Sequence, residues 1–299
     1  MEHNDAHLNQ HLPKVGVVGV GLLGKAIAER LVDQGYSVAG YDPVACHATE
    51  LQFCDSLTEL IQKVEIVLLC LPDSGIAAEV IEDGYGLFLD HQVVIDTTTG
   101  SPEEMIAMGH KLARRNVSYL EANVAGSSQQ MLEGEATLFV GGDARSVELN
   151  GSLFDAISTQ WFHLGSLGAG SRFKLVHNMV LGLNRLVLAE GLEFARSLGM
   201  DGVKTLEILK RTPAYSNVMN SKGDRMVCRD FENPQARLSQ HLKDVCLMID
   251  QAQASGGNIP LTMLHQQLLE RAEELGFGAC DNSAIIEGLK PDLSKNGLS

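Results

Sequence analysis

The chain has 299 residues, of which 44% are hydrophobic and 20% charged, and its formal net charge is −15. This length is enough for two domains with ordinary cores, and the acidic balance excludes a nucleic-acid-binding role, which needs a basic surface. The longest apolar run, residues 66–71, is far shorter than the roughly 20 residues of a spanning helix, so no membrane association is expected. Six cysteines without a C-x-x-C pair, and a polar start without a signal sequence, favour a cytoplasmic protein.

A glycine-rich turn follows the first apolar run of the chain. Residues 14–18 are typical of a buried strand, and a helical pattern extends from residue 22 to residue 34. Gly19 and Gly21 lie between the strand and the helix, Gly24 lies in the first turn of the helix, and the three have the spacing G-x-G-x-x-G. In a dinucleotide-binding turn the first glycine makes the tight turn, the second lets the backbone approach a pyrophosphate, and the third allows close helix packing.

The residues after this turn strengthen the prediction of a dinucleotide site. The start of the helix, at Leu22 and Leu23, carries the partial positive charge that favours phosphate. Residues 36–41 are typical of a second strand, and Asp42 follows it, where a carboxylate can accept hydrogen bonds from both hydroxyls of a ribose. The alternative is that Asp42 only begins a turn with Pro43. Asp42 also predicts NAD rather than NADP, because it would repel a 2′-phosphate.

The first half of the chain alternates β-rich runs with helical patterns. This alternation predicts a Rossmann-like, doubly wound parallel sheet covered by helices. Beyond the first two, the predicted strands cover residues 64–70, 92–95, 117–120, 137–140 and 160–163. Polar or small residues follow three of them, at 71–74, 96–99 and 125–128. Because ligands of such sheets bind at the carboxyl ends of strands, these three segments are candidate site residues.

The second half of the chain is helical in pattern. Residues 171–198 form one helix-compatible stretch that ends at Gly199. Apolar residues lie on most faces of this helix, which predicts that it is buried between domains or subunits. Further helical patterns cover about residues 203–211, 235–254 and 259–275. We therefore predict tails at 1–13 and 291–299, an NAD-binding domain at 14–165, and an all-helical substrate and dimerisation domain at 166–290. A homodimer or homotetramer is expected.

His3, His7 and His11 recur every fourth residue near the start of the chain. On one helix face they could bind a metal ion. No helix signal surrounds them, which favours a solvated tail instead. We therefore predict no metal site.

Three polar residues share one face near the start of the long helix. Lys174, His177 and Asn178 are spaced i, i+3 and i+4. An ammonium group in a partly dry cleft can donate a proton to a carbonyl oxygen, or accept one in the reverse direction, while Asn178 orients the same oxygen. The alternatives are that Lys174 is a surface lysine with a buried stem, and that Asn178 and His177 are packing residues.

Six motifs in chain order resemble those of the β-hydroxyacid dehydrogenase family, the group of 3-hydroxyisobutyrate dehydrogenase, tartronate semialdehyde reductase and, more distantly, 6-phosphogluconate dehydrogenase. The resemblance extends from about residue 14 to residue 289, and the matching segments are the glycine turn, 71–72, 96–102, 168–178, 243–244 and 276–284. It implies that the cofactor contacts Leu71, Pro72, Thr99 and Lys243. It also implies that Lys174 is the catalytic lysine and Asn178 its supporting amide.

Two departures from the family pattern concern the substrate. The family has serine and two glycines where this chain has Ala125, Gly126 and Ser127. The groups that bind a substrate carboxylate are therefore altered. Either Ser127 or Ser128 replaces the missing hydroxyl, or the substrate is not a simple short hydroxyacid. Ala236 stands where the family often has phenylalanine, which leaves room for a bulkier ligand.

The sequence therefore predicts a nicotinamide-dependent oxidoreductase that interconverts a small hydroxyacid with its oxoacid or semialdehyde. An imine or other C=N reductase is an alternative, although reductases of that type generally lack the lysine at position 174. A nucleotide-binding protein without turnover is a third possibility of a different class.

Overall fold

The computed structural model describes residues 12–44 and 51–290. The three N-terminal histidines, Cys46 and most of the two predicted tails lie outside these described residues. The chain divides into two compact units, one ending at Lys174 and the other beginning at Leu175.

The first unit is a sheet with helices between its strands. Its strands are β1 (Val15–Val18), β2 (Val38–Tyr41), β3 (Gln52–Phe53), β4 (Ile66–Leu69), β5 (Val93–Asp96), β6 (Ser118–Ala125), β7 (Thr137–Gly141) and β8 (Gln160–His163). Its helices are α1 (Leu22–Asp33), α2 (Leu57–Lys63), α3 (Ser74–Gly84), α4 (Pro102–Ala113), α5 (Ser128–Glu133), α6 (Ala144–Leu149) and α7 (Gly151–Ile157).

The strand order is β3-β2-β1-β4-β5-β6-β7-β8. Every pair is parallel except β6 and β7, which are antiparallel. The prediction of a parallel sheet is therefore wrong for this pair. The connection between the two strands, residues 126–136, is shorter than the dozen or more residues that a parallel crossover needs. β6 also continues to Ala125, five residues beyond its predicted end.

Each face of the sheet has its own apolar core. Side chains alternate along a strand, so Val17 of β1 packs on one face and Val18 on the other. Helices α1 and α7 cover the first face through residues such as Ile27 and Phe154. The second face is covered by α2, α3 and α4, and the carboxyl ends of β1, β4 and β5 reach the same edge of the sheet.

A long helix, α8 (Ala169–Ser197), begins in the first unit and continues into the second. The second unit adds α9 (Gly202–Leu209), α10 (Val218–Cys228), α11 (Leu238–Ser255), α12 (Pro260–Ala272), a π turn (Glu273–Phe277), a 3-10 turn (Asn282–Ala284) and α13 (Ile285–Gly288). These helices surround a core of their own. As predicted, Gly199 has a left-handed backbone (φ +74°) after α8.

Among the residues that the structure describes, no helix combines the length and apolar character that crossing a membrane requires. The five cysteines in the described ranges are free thiols.

Candidate active site

The glycine turn between β1 and α1 has one open position and two closed ones. Gly19 has φ +90°, and a Cβ there would lie 2.3 Å from the carbonyl oxygen of Cys70. A Cβ at Gly24 would lie 1.9 Å from the carbonyl oxygen of Gly19. A Cβ at Gly21 would meet no atom within 4 Å. The fold therefore requires glycine at 19 and 24, whereas the absent side chain at 21 leaves space for a ligand.

The start of α1 is suited to bind an anion. Its N-cap is Gly21, no side chain caps the helix, and its first turn contains no acidic residue. Leu22 is 76% exposed, so the first turn is open to a ligand. Uncapped N–H groups with the helix dipole behind them fit the pyrophosphate of a dinucleotide.

Asp42 lies beside this turn. One carboxylate oxygen accepts a hydrogen bond from the N–H of Val20 at 2.8 Å, and the other accepts one from the N–H of Val44 at 2.8 Å. The side chain thus contacts the glycine turn as well as the turn that follows β2. This position fits the ribose of a dinucleotide whose phosphates lie at α1.

The segments that follow β4, β5 and β6 are joined by side-chain hydrogen bonds. The N–H of Leu71 donates to Oγ1 of Thr98 (3.2 Å), and Nδ2 of Asn123 donates to the carbonyl oxygen of Thr98 (2.6 Å). Thr98 thereby connects Leu71 and Pro72 with the neighbouring Thr99. The predicted cofactor residues 71, 72 and 99 are held along one edge of the sheet.

A buried carboxylate, Asp96, accepts hydrogen bonds from residues at this edge of the sheet. Asp96 is fully buried and accepts hydrogen bonds from the N–H of Thr98 and the hydroxyl of Tyr119, both at 2.8 Å. Burial raises the pKa of Asp96 to about 6, against the lowering effect of the bonds from Thr98 and Tyr119. Burial and the adjacent Asp96 also raise the pKa of the Tyr119 hydroxyl.

The predicted substrate segment lies at the end of β6. Gly126 has φ +157°, and a Cβ there would lie 2.8 Å from the Cβ of Ala136, so only glycine fits. Ser127 is the N-cap of α5: its Oγ accepts from the N–H of Gln130 (3.2 Å), whose Oε1 accepts from the N–H of Ser127 (2.9 Å). The oxygen of this hydroxyl is used by the helix, and its proton can still be donated to a ligand.

Lys174 is buried, and this contradicts the alternative of a surface lysine. Its Nζ donates a hydrogen bond to the carbonyl oxygen of Val124 at 2.6 Å. Val124 directly precedes Ala125, so the amine lies beside the predicted substrate segment.

Glu121 fixes the start of the helix that carries Lys174. Its carboxylate accepts hydrogen bonds from the N–H groups of Gly168 (2.7 Å) and Ser171 (3.3 Å) and from the Ser171 hydroxyl. Burial raises the pKa of Glu121, and the bonds from Ser171 and Gly168 partly offset this effect. A carboxylate from the middle of β6 thus caps α8, three residues before Lys174.

The second unit brings three further predicted residues together. Nδ2 of Asn178 on α8 donates to a carboxylate oxygen of Asp244 on α11 at 3.0 Å, and both residues are buried. Nζ of Lys243 lies 3.5 Å from the other oxygen of Asp244. His177, next to Asn178, is half-buried.

Sequence reasoning assigned no role to Glu121, Asn123 or Tyr119, although all three anchor predicted site residues. One signal was available for Glu121 and Asn123, which are polar residues inside a strand whose neighbours are apolar. A buried polar side chain needs partners, and here those partners are the backbone groups of the site.

Two family models match the chain. Residues 14–165 match the NAD binding domain of 6-phosphogluconate dehydrogenase, and residues 168–289 match the model described as NAD-binding of NADP-dependent 3-hydroxyisobutyrate dehydrogenase. The two matches cover almost all of the described chain.

Curated relatives and solved structures agree with these matches. The 2-(hydroxymethyl)glutarate dehydrogenase of Eubacterium barkeri is 27% identical over 284 residues, which are 92% of this chain and 94% of that enzyme. The cytokine-like nuclear factor N-PAC of Anopheles gambiae is 26% identical over 91% of this chain, and the chain spans about half (49%) of that protein. The fold is shared with a 3-hydroxyisobutyrate dehydrogenase from Salmonella typhimurium (TM-score 0.85, 24% identity, 92% of this chain and 99% of that chain). The chain therefore belongs to the β-hydroxyacid dehydrogenase family.

Proposed function

We propose that the chain interconverts a small hydroxyacid and its oxoacid or semialdehyde with a nicotinamide cofactor, and that Lys174 is its general acid and base. The observation that carries this proposal is the buried Lys174 amine, 2.6 Å from the Val124 carbonyl oxygen at the end of β6. When bound, the cofactor supplies or accepts a hydride. The open Gly21 turn and Asp42 would hold it in the first unit.

Lys174 moves the proton that accompanies this hydride. In reduction its ammonium donates a proton to the substrate carbonyl oxygen, and in oxidation the neutral amine accepts the hydroxyl proton. Asn178, one helical turn further along α8, orients the same oxygen with its amide. The bond from Asn178 to Asp244 fixes the direction of that amide.

The substrate carboxylate binds at residues 125–127. Backbone N–H groups around Gly126 and the hydroxyl of Ser127 are its donors. Ala125 has no hydroxyl, so the Ser127 hydroxyl takes the place of the serine that the family has at the first of these three positions.

Replacement of the lysine tests the proposal. We expect Lys174→Ala to lower kcat by about 10²- to 10⁴-fold, the usual contribution of a positioned proton donor, with little change in NADH affinity. Lys174→Arg should also fail, because a guanidinium does not release its proton. Arg172→Ala, at an exposed position on the same helix, is the matched control and should keep the wild-type kcat. Steady-state kinetics with a panel of oxoacids and titration of NADH fluorescence give both values. A Lys174→Ala enzyme that binds NADH and turns over at the wild-type rate would refute this mechanism.

The absent hydroxyl at Ala125 favours one second candidate, an imine or other C=N reductase. Such a substrate carries no carboxylate and needs no serine at this position. The same panel with cyclic imines added separates the two activities. Turnover of imines alone would support the second candidate, and turnover of neither class would favour a nucleotide-binding protein without activity.

We propose that NAD is preferred over NADP. Asp42 would repel a 2′-phosphate, and Pro43 stands where NADP-using relatives often carry arginine. We expect kcat/KM for NADH to exceed that for NADPH by about tenfold or more, which corresponds to about 1.4 kcal/mol. Asp42→Ser combined with Pro43→Arg should shift the ratio toward NADPH. Equal values for the two cofactors in the wild type would contradict the preference.

A cytoplasmic location and assembly of identical subunits complete the proposal. The free thiols of the described cysteines suit a reducing compartment. Cell fractionation tests the location, and light scattering tests the assembly.

A further inference from the structure

The helical unit contains a buried cation without a hydrogen-bond partner. Arg185, on α8, is 4% exposed, and its Nε and Nη1 atoms have no hydrogen-bond partner in the part of the chain that the structure describes. Burial lowers the pKa of this guanidinium to about 10, while the charge of Asp281 raises it. Arg185 is therefore still charged at neutral pH.

The carboxylate that acts on Arg185 is already paired with another cation. Both oxygens of Asp281 accept hydrogen bonds from Nζ of Lys222, at 3.0 and 2.8 Å. They also accept bonds from the N–H groups of Gln235 (2.9 Å) and Ser283 (3.0 Å). Lys222 neutralises Asp281, and the charge of Arg185 remains uncompensated within this group of residues.

Two buried polar residues lie on α12, and one of them, His265, lies close to the segment of α8 that carries Arg185. Thr262 and His265 are one turn apart on that helix, each is 1% exposed, and Oγ1 of Thr262 and Nε2 of His265 lack partners among the described residues. A Cβ at Gly182, one turn before Arg185 on α8, would lie 3.0 Å from Cε1 of His265. Burial, and then the charge of Arg185, lower the pKa of His265 to about 4, so its imidazole is neutral at pH 7.

A buried charge without a counter-charge is strongly unfavourable, and hydrogen bonds donated to water would satisfy its N–H groups without neutralising the charge. We propose that the helical unit binds a small monovalent anion, the size of a halide or a simple carboxylate, through Nε and Nη1 of Arg185 and the hydroxyl of Thr262. The neutral imidazole of His265 can donate one further N–H to the same anion.

This site is separate from Asn178, although Asn178 and Arg185 lie on the same face of α8. Gly182 lies between them, and a Cβ there would be only 2.6 Å from Nε2 of His241. The imidazole of His241 therefore fills the space over Gly182. The proposed anion is a structural ligand of the helical unit, and the inference does not depend on the proposed enzymatic function.

Thermal unfolding of the full chain tests the site. The protein is placed in a buffer whose only anion is gluconate, and sodium chloride or sodium formate replaces gluconate at constant ionic strength. We expect a saturable rise in Tm of several degrees, because a ligand that binds only the folded state stabilises it in proportion to the logarithm of its concentration. A rise with chloride alone identifies a halide, and a rise with formate alone identifies a carboxylate.

Three variants assign the effect to this cluster. Arg185→Met should abolish the rise and, in gluconate, unfold at a higher temperature than the wild type, because the uncompensated charge is gone. Thr262→Val should shift the half-saturating concentration upward at least severalfold. Arg229→Met, which removes a guanidinium paired with Glu193 and Glu287 in the same unit, is the matched control and should keep the saturable rise.

The proposal fails if the wild type shows no saturable rise with either anion. It also fails if Arg185→Met responds to the anions like the wild type. Either result would mean that water molecules satisfy Arg185.

Discussion

The buried carboxyl group of Asp96 makes the stability of the folded protein depend on pH. Its pKa is about 6 in the folded protein, compared with an ordinary value of 3.8. Between these two values the folded chain binds a proton that the unfolded chain has released. The stability that Asp96 contributes is therefore complete below about pH 4 and is lost as the pH rises to 6, a loss of about 3 kcal/mol.

We predict that Asp96→Asn removes this part of the pH dependence. The variant loses a hydrogen-bond acceptor at every pH, so the informative quantity is the difference in unfolding free energy between pH 4 and pH 7. Urea denaturation at the two pH values measures it. The control Asp143→Asn, at the exposed N-cap of α6, should keep the wild-type decrease contributed by Asp96. An Asp96→Asn protein with an unchanged difference would show that Asp96 does not titrate in this range.

The residues of the site differ in how far the sequence could predict them. The glycine turn, Asp42 and Lys174 belong to local patterns, and the sequence placed each of them beside the correct strand or helix. Glu121 could not be assigned its role, because its bonds to Gly168 and Ser171 join residues 47 and 50 positions apart. Such contacts depend on the register of the sheet, which a local pattern does not specify.

At the scale of elements, the glycines where β1 meets α1 have two different roles: one is required by the packing of the fold, and another leaves space for a ligand. We predict that Gly24→Ala destabilises the fold by several kcal/mol, because its Cβ would collide with the backbone at Gly19. Gly21→Ala should unfold like the wild type, because its Cβ meets no protein atom, and yet it should bind NADH at least tenfold more weakly. Urea denaturation and NADH titration of the two proteins provide the comparison. If Gly21→Ala bound NADH normally, the open position would not be a dinucleotide site.

Two elements that the sequence did not predict are a very short strand and a helix whose apolar periodicity is interrupted by other residues. β3 has only two residues and is too short to show alternation. The buried face of α10 includes Lys222 and Gly223 beside Val218, Met219 and Met226, so its apolar period is interrupted by a lysine and a glycine. The buried Lys222 is tolerated because Asp281 pairs with it.

At the scale of the whole molecule, α8 carries an exposed apolar stripe. Val180, Val187 and Phe194 are spaced seven residues apart, Leu198 follows, and their exposed fractions are 56, 68, 65 and 61%. An apolar repeat of seven residues is typical of a helix that pairs with another helix. The sequence predicted burial of this helix, and a second copy of the chain would provide it at the stripe.

We therefore predict a homodimer or a larger even assembly through this stripe. Light scattering at micromolar concentration should give at least twice the 32.3 kDa mass of one chain. Val187→Glu should lower the mass to that of a monomer, because it places a charge in the apolar seam. Leu149→Glu, at a 73% exposed position in the first unit, should leave the assembly intact. A wild-type protein of 32.3 kDa would disprove the association.

The division of the chain within α8 has a consequence for recombination between relatives. Three of the nine residues after the predicted boundary at 165 contact the sheet: Ser171 contacts Glu121, Phe173 contacts Phe139 and Lys174 contacts Val124. In a chimera joined at residue 165, the lysine that bonds to β6 would therefore come from the other relative. A chimera joined after Lys174 would exchange Asn178 and the helices beyond it while keeping the native lysine with its own strand, so the helical unit could be exchanged without changing the proposed proton donor.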